Sequence, residues 1–385
     1  MSSLSRLLRR SFATAVSSPP QPHPKSIKSL STDLYKERSL ERLVDKFKNF
    51  SESYRFRTKS GIYESTVRRL AAAQHFSSIE EILEEQKKYK DISDEGFTVR
   101  LITLYGKSGM FDHASKVFDE MPQYKCDRTV KSLNALLGAC LNSKKFDKID
   151  GYFRDLPKKL GVKPDVVSYN TLIKAFCEMG SLDSALSMVD EMLKNGLRAD
   201  LITYNTLLDG LYRKGRFLDG EKMWSRMERM NVVPDIRSYN AKLIGLVSEK
   251  RMAEAAELAR GLKDKGLKAD IFTYNTVIEG YCKDGSLEEA KKWYRNLKSN
   301  ANCSPNKATF RMLIPLACEK GDIDWAFKLC KDIFNKRCLF DEADLQLVVD
   351  GLVKQSKVEQ AQQLVKLAST NCYCRRKLNL PSNKN

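Results

Sequence analysis

The sequence predicts an all-α solenoid built from helix–turn–helix repeats, and three observations predict it. Tyr-Asn recurs at 169–170, 204–205, 239–240 and 274–275, spaced by 35 residues each time. Within one unit, Tyr169, Leu172, Ile173 and Phe176 follow the i, i+3, i+4, i+7 rule of a helix with one apolar face. Glycines at Gly109, Gly180, Gly215, Gly285 and Gly321 interrupt the pattern near the middle of the units, and a second amphipathic run follows each. One such hairpin cannot cover its own apolar faces, so neighbours must stack.

The elements are taken in chain order. Residues 1–30 contain no Asp or Glu, and the first acidic residue is Asp33. Arg6, Arg9 and Arg10 alternate with Leu4, Leu7, Leu8 and Phe12, which on a helix gives one cationic and one apolar face. That is the pattern of an organelle transit peptide, followed by a linker at PPQPHP that should carry no fold. The step Arg10-Ser11-Phe12-Ala13 resembles a mitochondrial processing site. The mitochondrial matrix is the expected destination, and the chloroplast stroma is the alternative. A disordered basic tail is the plainer reading of the same residues.

Residues 31–59 read as a degenerate leading repeat, with SLERLVDKFKNF as one helix. The solenoid is expected over 60–373, in about nine repeats of 35 residues. Its units are 60–94, 95–129, 130–165, 166–200, 201–235, 236–270, 271–306, 307–341 and an incomplete one from 342; those at 130–165 and 271–306 hold one extra residue. In 166–200, Ser168 stands where an N-cap is expected, as do Thr203, Ser238 and Thr273 in the following units. The second helix carries Leu182, Ala185, Leu186, Val189 and Met192 on one face, and Gly196 ends it. Trp224, Trp293 and Trp325 fall in second helices and read as packing residues. Residues 374–385 are a basic C-terminal tail.

The formal net charge of +18 favours a polyanionic partner, nucleic acid before membrane. No apolar run approaches the roughly 18 residues that span a bilayer, so no membrane insertion is expected. The ten cysteines are Cys126, Cys140, Cys177, Cys282, Cys303, Cys318, Cys330, Cys338, Cys372 and Cys374. They are scattered through helical patterns and read as reduced core thiols. Cys372 and Cys374 have no second pair at zinc spacing, and His23, His75 and His113 are distant in sequence. No metal, cofactor or small-molecule substrate is expected.

The repeats resemble the pentatricopeptide repeats of the pure, P-type class. The openings are VVSYNTLI, LITYNTLL, IRSYNAKL and IFTYNTVI, and the closings are Pro164-Asp165, Ala199-Asp200, Pro234-Asp235 and Ala269-Asp270. The related tetratricopeptide repeat has a period of 34 and a different signature. The resemblance implies a right-handed superhelix whose first helices line a groove for single-stranded RNA, one base being read per repeat. It implies that the fifth residue of a unit faces the base, that the last residue supports it, and that the second packs against the base faces.

On this chain the resemblance assigns base-facing roles to Asn134, Asn170, Asn205, Asn240 and Asn275. Their supporting partners are Asp165, Asp200, Asp235, Asp270 and Asn306. An asparagine amide offers a donor and an acceptor, matching a pyrimidine edge, while an ionised aspartate only accepts and so orients the amide NH₂. In the family's code Asn with Asp favours uracil, and Asn with Asn a pyrimidine. Val167, Ile202 and Phe272 suit packing against bases; Lys131 and Arg237 depart from that pattern and suit phosphate or a guanidinium stack. The corresponding pairs Glu64 with Asp94, Val99 with Thr129 and Arg311 with Asp341, and the lone Gln346, carry no familiar code. The alternative for the asparagines is that they are polar groups of the first helical turn, retained by repeat ancestry and touching no base.

Three roles are open to such a chain. Catalysis is not expected, because the H-x-E and P-C-x-x-C motifs of a deaminase are missing. The stretch after residue 341 is also too short for a nuclease domain, and no G-x-x-x-x-G-K-[ST] occurs. A sequence-specific messenger-binding factor for transcript stability, processing or translation is the alternative. The favoured role is a structural rRNA-binding component of the mitochondrial ribosome, partnered by ribosomal RNA and mitochondrial ribosomal proteins. A short array that repeats one letter resembles the short P-type proteins of the plant mitochondrial ribosome, where folded RNA and neighbouring proteins fix position. KKW at 291–293, NKRC at 335–338 and CRRK at 374–377 are candidates for phosphate contacts, which position without specifying sequence, although each alone reads first as a solvated face.

Overall fold

A computed structural model describes residues 26–335, 341–370 and 378–380. The arginines of the leader, the PPQPHP linker, Cys338, Cys372, Cys374, most of NKRC and all of CRRK lie outside the described residues. Among the described residues the regular structure is helical throughout. The first helix, α1 (Ile27–Lys36), starts inside the 1–30 stretch read as leader and linker. Ser26 caps it, accepting from the Ser29 N–H.

The chain divides into two compact units between Lys144 and Lys145, a boundary that falls inside the 130–165 repeat. The first unit holds α1, α2 (Leu40–Ser51), α3 (Tyr54–Arg57), α4 (Ser60–Ala72), α5 (Phe76–Glu84), α6 (Glu95–Lys107), α7 (Phe111–Glu120) and α8 (Val130–Asn142). Helices α4 and α5 form one hairpin and α6 and α7 the next, with α6 packed on both α4 and α8.

The second unit opens with α9 (Phe146–Leu160) and continues as six hairpins. They are α10 (Val166–Met179) with α11 (Leu182–Lys194), α12 (Leu201–Arg213) with α13 (Phe217–Arg229), and α14 (Ile236–Ser248) with α15 (Met252–Gly261). Then come α16 (Ile271–Lys283) with α17 (Leu287–Ser299), α18 (Lys307–Glu319) with α19 (Ile323–Asn335), and α20 (Glu342–Lys354) with α21 (Val358–Thr370). Each first helix packs on the first helix of the next hairpin, from α10 through α12, α14, α16 and α18 to α20. The core runs without a break from Leu243 to Leu378, as expected of stacked repeats that each lack a complete interior.

The start of the first helices corrects one expectation. Ser168, Thr203, Ser238 and Thr273 are not the N-caps; Asp165, Asp200, Asp235 and Asp270 are, three residues earlier. The aspartate backbones are extended, and each side chain accepts from the N–H of the Ser or Thr. In return that hydroxyl accepts from the N–H of its aspartate, at 3.2 Å in all four. This reciprocal box satisfies two of the orphan donors of a helix start. Asn306 and Thr309 build the same box on α18.

The turn inside each hairpin explains the mid-repeat glycine. Gly180 has φ of 82°, and the following Ser181 N–H reaches back to the Phe176 carbonyl at 2.9 Å. This 6→1 bond closes a helix through one left-handed residue, where glycine avoids a Cβ clash. In the 236–270 repeat that position is Lys250, at φ of 57°, and the same bond forms from Arg251 to Leu246 at 2.9 Å. A different constraint acts at Gly245, where a Cβ would lie 2.3 Å from the Tyr212 ring. The missing side chain lets α14 close on α12.

The tryptophans pack. Trp224 meets Tyr239 edge-on at 5.2 Å, Trp293 meets Tyr274 at 6.0 Å, and Trp325 meets Tyr294 at 6.0 Å. Cys126, Cys140, Cys177 and Cys330 are buried, and Cys282, Cys303 and Cys318 half-buried; all seven are free thiols. Burial pushes the thiols of Cys177 and Cys282 up to about 12, so both stay protonated at neutral pH. Among the described residues no helix is long and apolar enough to cross a membrane.

Candidate nucleic-acid interface

The stacking of first helices brings the fifth residue of one repeat against the start of the next. Asn170 donates from Nδ2 to Asp200 Oδ1 at 3.2 Å, and the Thr203 hydroxyl lies 2.6 Å from Asn170 Oδ1. Asn205 repeats this with Asp235 at 3.0 Å and Ser238 at 2.5 Å. Asn240 does so with Asp270 at 3.2 Å and Thr273 at 2.7 Å. Asn275 does so with Asn306 at 3.2 Å and Thr309 at 2.7 Å. Four three-residue clasps therefore join five successive first helices, α10 to α18. Asn134 stands on α8 in the first unit and Asp165 at the start of α10 in the second.

The third member of the clasp reads from sequence only as a cap. Its hydroxyl does two things: it closes the helix start of its own repeat and holds the amide oxygen of the preceding one. The signal is present, because Ser or Thr follows the clasped asparagine by 33 residues, or by 34 where the repeat is one residue longer.

The clasp sets the electrostatics. Burial pushes the Asp200 carboxyl up, but the Thr203 N–H and hydroxyl, the Asn170 amide and the Ile202 N–H outweigh it. The net result is a carboxyl below its ordinary range. Asp235 is lowered in the same way, burial being outweighed by the Ser238 N–H, the Asn205 amide, the Ser238 hydroxyl and the Arg237 N–H. Both are charged at neutral pH and accept only.

A count of donors and acceptors shows what each asparagine retains. Its amide has two N–H donors and two oxygen lone pairs. The Asp or Asn oxygen takes one donor and the hydroxyl satisfies one lone pair, leaving one donor and one acceptor in a fixed orientation. Asn170, Asn205 and Asn275 are half-buried, whereas Asn240 is 6% exposed. The Arg213 guanidinium of the 201–235 repeat comes within 5.9 Å of the Phe272 ring, two repeats on.

Beside the clasps, the second residues point out. Val167 is 55% exposed, Ile202 63% and Phe272 40%; Lys131 and Arg237 are also exposed. Three large apolar side chains are thus held in water at the same position of their repeats, while Tyr169, Leu172 and Ile173, and Tyr204, Leu207 and Leu208, are buried.

Outside the clasps other chemistry fills the positions. Glu95 Oε1 accepts from the Thr129 N–H at 2.9 Å, its hydroxyl at 2.8 Å and the Ser132 N–H at 3.3 Å, so a carboxylate from the repeat before caps α8. Glu64 lies 3.5 Å from Lys107. Asp341 is paired with Lys307 at 2.9 Å and Arg311 at 3.7 Å. Gln346 exchanges two hydrogen bonds with the backbone of Asn379, at 2.8 and 3.0 Å, and the adjoining Leu378 is buried.

Comparison with known proteins follows the same register. A model described as the PPR repeat family matches residues 128–178, 164–213, 199–248 and 269–319, and a PPR repeat model matches 100–126. Together these stretches span about half of the chain. The chain is 51% identical over 212 residues to the small ribosomal subunit protein mS78 (rPPR3a) of Arabidopsis thaliana, covering 50% of this chain and 52% of that protein. It is 49% identical over 206 residues to the small ribosomal subunit protein mS79 (rPPR3b) of the same plant, again covering 50% and 52%. The chain therefore spans about half the length of these relatives. Among solved structures it is similar to the pentatricopeptide repeat protein PPR10 in complex with an 18-nt psaJ RNA element, with 16% identity and a TM-score of 0.47. That match covers 90% of this chain and 64% of the other.

Proposed function

Because this chain belongs to the pentatricopeptide repeat family, we propose that it is an RNA-binding protein of the mitochondrial matrix and a structural, rRNA-binding component of the mitochondrial ribosome. It acts without catalysis. One observation carries the reading: the clasps are almost identical from repeat to repeat. Three hold Asn with Asp and one holds Asn with Asn. An array that repeats one letter has little power to choose a transcript, yet it holds any pyrimidine-rich single strand that folded RNA presents to it. The printed names of the two Arabidopsis relatives support the same role.

In this reading Asn170, Asn205, Asn240 and Asn275 offer their remaining donor and acceptor to pyrimidine edges, Asn134 faces a base in its own repeat, and Asp165 is a supporting residue. Asp200, Asp235, Asp270 and Asn306 keep the amides oriented. Val167, Ile202 and Phe272 pack against base faces, a contact worth about 1–3 kcal/mol per base. Lys131 and Arg237 take phosphate or stack. The leader at 1–30, the degenerate repeat at 31–59, the solenoid at 60–373 and the tail at 374–385 divide the work into delivery, capping, binding and phosphate contact.

Sedimentation of mitochondrial lysate, with and without magnesium chelation, tests this role. The protein is expected to migrate with one ribosomal subunit's rRNA, to stay with it through high salt, and to be stoichiometric with it. Light fractions released by ribonuclease without ribosomes would sink the ribosomal role. They would favour the messenger-binding alternative.

A further inference from the structure

The second helices carry many cations, and several are paired with a neighbouring repeat. Arg226 reaches Asp190 at 2.8 Å, Lys291 reaches Asp322 at 2.5 Å and Lys298 reaches Asp332 at 2.7 Å. One group of unpaired cations shares a cavity. A cavity of about 580 Å³ lies between the ends of α15 and α17, walled by the loop after α15 and by Tyr274. Arg260, Lys263 and Lys268 line it, and no acidic residue does. All three are exposed, and among the described residues no carboxylate pairs with them. The cavity beside α13, in contrast, mixes Glu221, Glu254 and Glu257 with its cations.

Two local departures from the repeat accompany this cavity. Helix α15 has ten residues where α13 and α17 have thirteen, and the 271–306 repeat holds one extra residue. The lengthened loop is ordered by its own bonds. Asn300 donates to the Tyr274 hydroxyl at 3.0 Å and accepts from the Asn302 N–H at 2.8 Å. The half-buried Leu267 and Tyr274 give it an apolar floor, backed by the buried Leu262 and Trp293. Asn296 and Asn302 stand at the rim with exposed amides.

We propose that this cavity is a second RNA-contact site, separate from the clasps, that takes one unpaired nucleotide bulged from a folded RNA. The chemistry is complementary part by part. Cations without competing acids meet phosphate, which positions the RNA. Amides meet a base edge, and the apolar floor meets the base itself, as in recognition of splayed-out nucleotides. The volume lies within the roughly 300–1,000 Å³ of small-ligand sites. The site rests on the RNA-binding role proposed above, and it explains how a protein with a uniform code is placed on structured RNA.

The test uses the full chain and three probes: oligouridine, a stem–loop with one bulged nucleotide, and the same stem–loop without the bulge. Wild type is expected to prefer the bulged stem–loop over the unbulged one. Replacing Arg260, Lys263 and Lys268 together by Gln is expected to weaken bulged-stem binding about 10-fold or more. The slope of log K against log salt should also fall by about 0.7–0.9 for each phosphate that is no longer neutralised. Oligouridine binding, made at the clasps, should hold within about two-fold. A second variant, Ser299→Trp, fills the cavity from an exposed position and is expected to abolish the bulge preference while keeping the salt slope. Equal wild-type affinity for the two stem–loops, or an unchanged slope in the triple variant, overturns the proposal while leaving the oligouridine result to stand. Failure of wild type to bind any of the three RNAs overturns the RNA-binding role itself.

Discussion

At the scale of the residue, one position separates what the fold requires from what this chain supplies. The turn between the helices of each hairpin needs a left-handed residue, and Gly180, Gly215, Gly285 and Gly321 provide it. Lys250 holds the same conformation, with φ of 57°, although its side chain is exposed. A non-glycine residue there costs roughly 1–2 kcal/mol in backbone strain. Glycine removes that strain and gives back part of it in unfolded-chain entropy. Lys250→Gly is therefore expected to stabilise the protein by about 0.5–1 kcal/mol, read as a higher urea midpoint at unchanged slope. The same change at a right-handed, exposed helix position such as Lys222 should destabilise by a similar amount. A lowered midpoint for Lys250→Gly would show that the lysine makes a compensating contact.

At the scale of the element, the clasp makes each first helix depend on the one before it. Thr203 is fully buried. Its hydroxyl lies 2.6 Å from Asn170 Oδ1 and 2.9 Å from Asp200 Oδ1, and it accepts from the Asp200 N–H at 3.2 Å. Thr203→Val keeps the shape and deletes the hydroxyl, leaving a half-buried N–H and an amide oxygen without that partner. The expected loss is about 1–3 kcal/mol in urea unfolding, and Thr203→Ser should restore most of it, as Ser238 serves in the next repeat. A neutral Thr203→Val would mean that water replaces the hydroxyl. Much of this architecture was legible in the sequence. The 35-residue period, the apolar spacing from Tyr169 to Phe176 and the glycine at Gly180 are strong local signals, and the hairpins follow them. Asp200 as cap was not legible as such. Asp200 and Thr203 both suit a helix start, and only the extended backbone at Asp200 decides between them. The reach of Thr203 to Asn170 was also hidden, because a side chain that caps its own helix gives no local sign of a second bond to another repeat. The cavity beside α15 was harder still, since it arises from a shortened helix and one extra residue rather than from any motif.

At the scale of the whole molecule, stability in a stacked array is close to a sum of repeats and the interfaces between neighbours, so a feature shared by successive interfaces acts on all of them together. Asp200 and Asp235 are such features, both held below the ordinary carboxyl range in the folded state. The sign follows from linkage: a depressed folded pKa gives stability that is fully present above the unfolded value, near 3.9. That stability is lost as pH falls through the folded value. The urea midpoint is thus expected to be insensitive to these groups above about pH 5 and to drop as the pH is lowered below about 4. Asn306 already holds the equivalent place on α18 and makes the same contacts to Asn275 and Thr309, so an amide fits the geometry. The double variant Asp200→Asn, Asp235→Asn should start from a lower midpoint at neutral pH, because the hydrogen bonds at both caps lose their charge assistance. It should then show a shallower fall in acid than wild type, the two curves converging toward pH 2. Urea titrations at a series of pH values decide the matter. Parallel curves would place the acid sensitivity elsewhere, in ion pairs such as Lys291 with Asp322, and would leave the clasps as neutral hydrogen-bonded joints rather than charged ones.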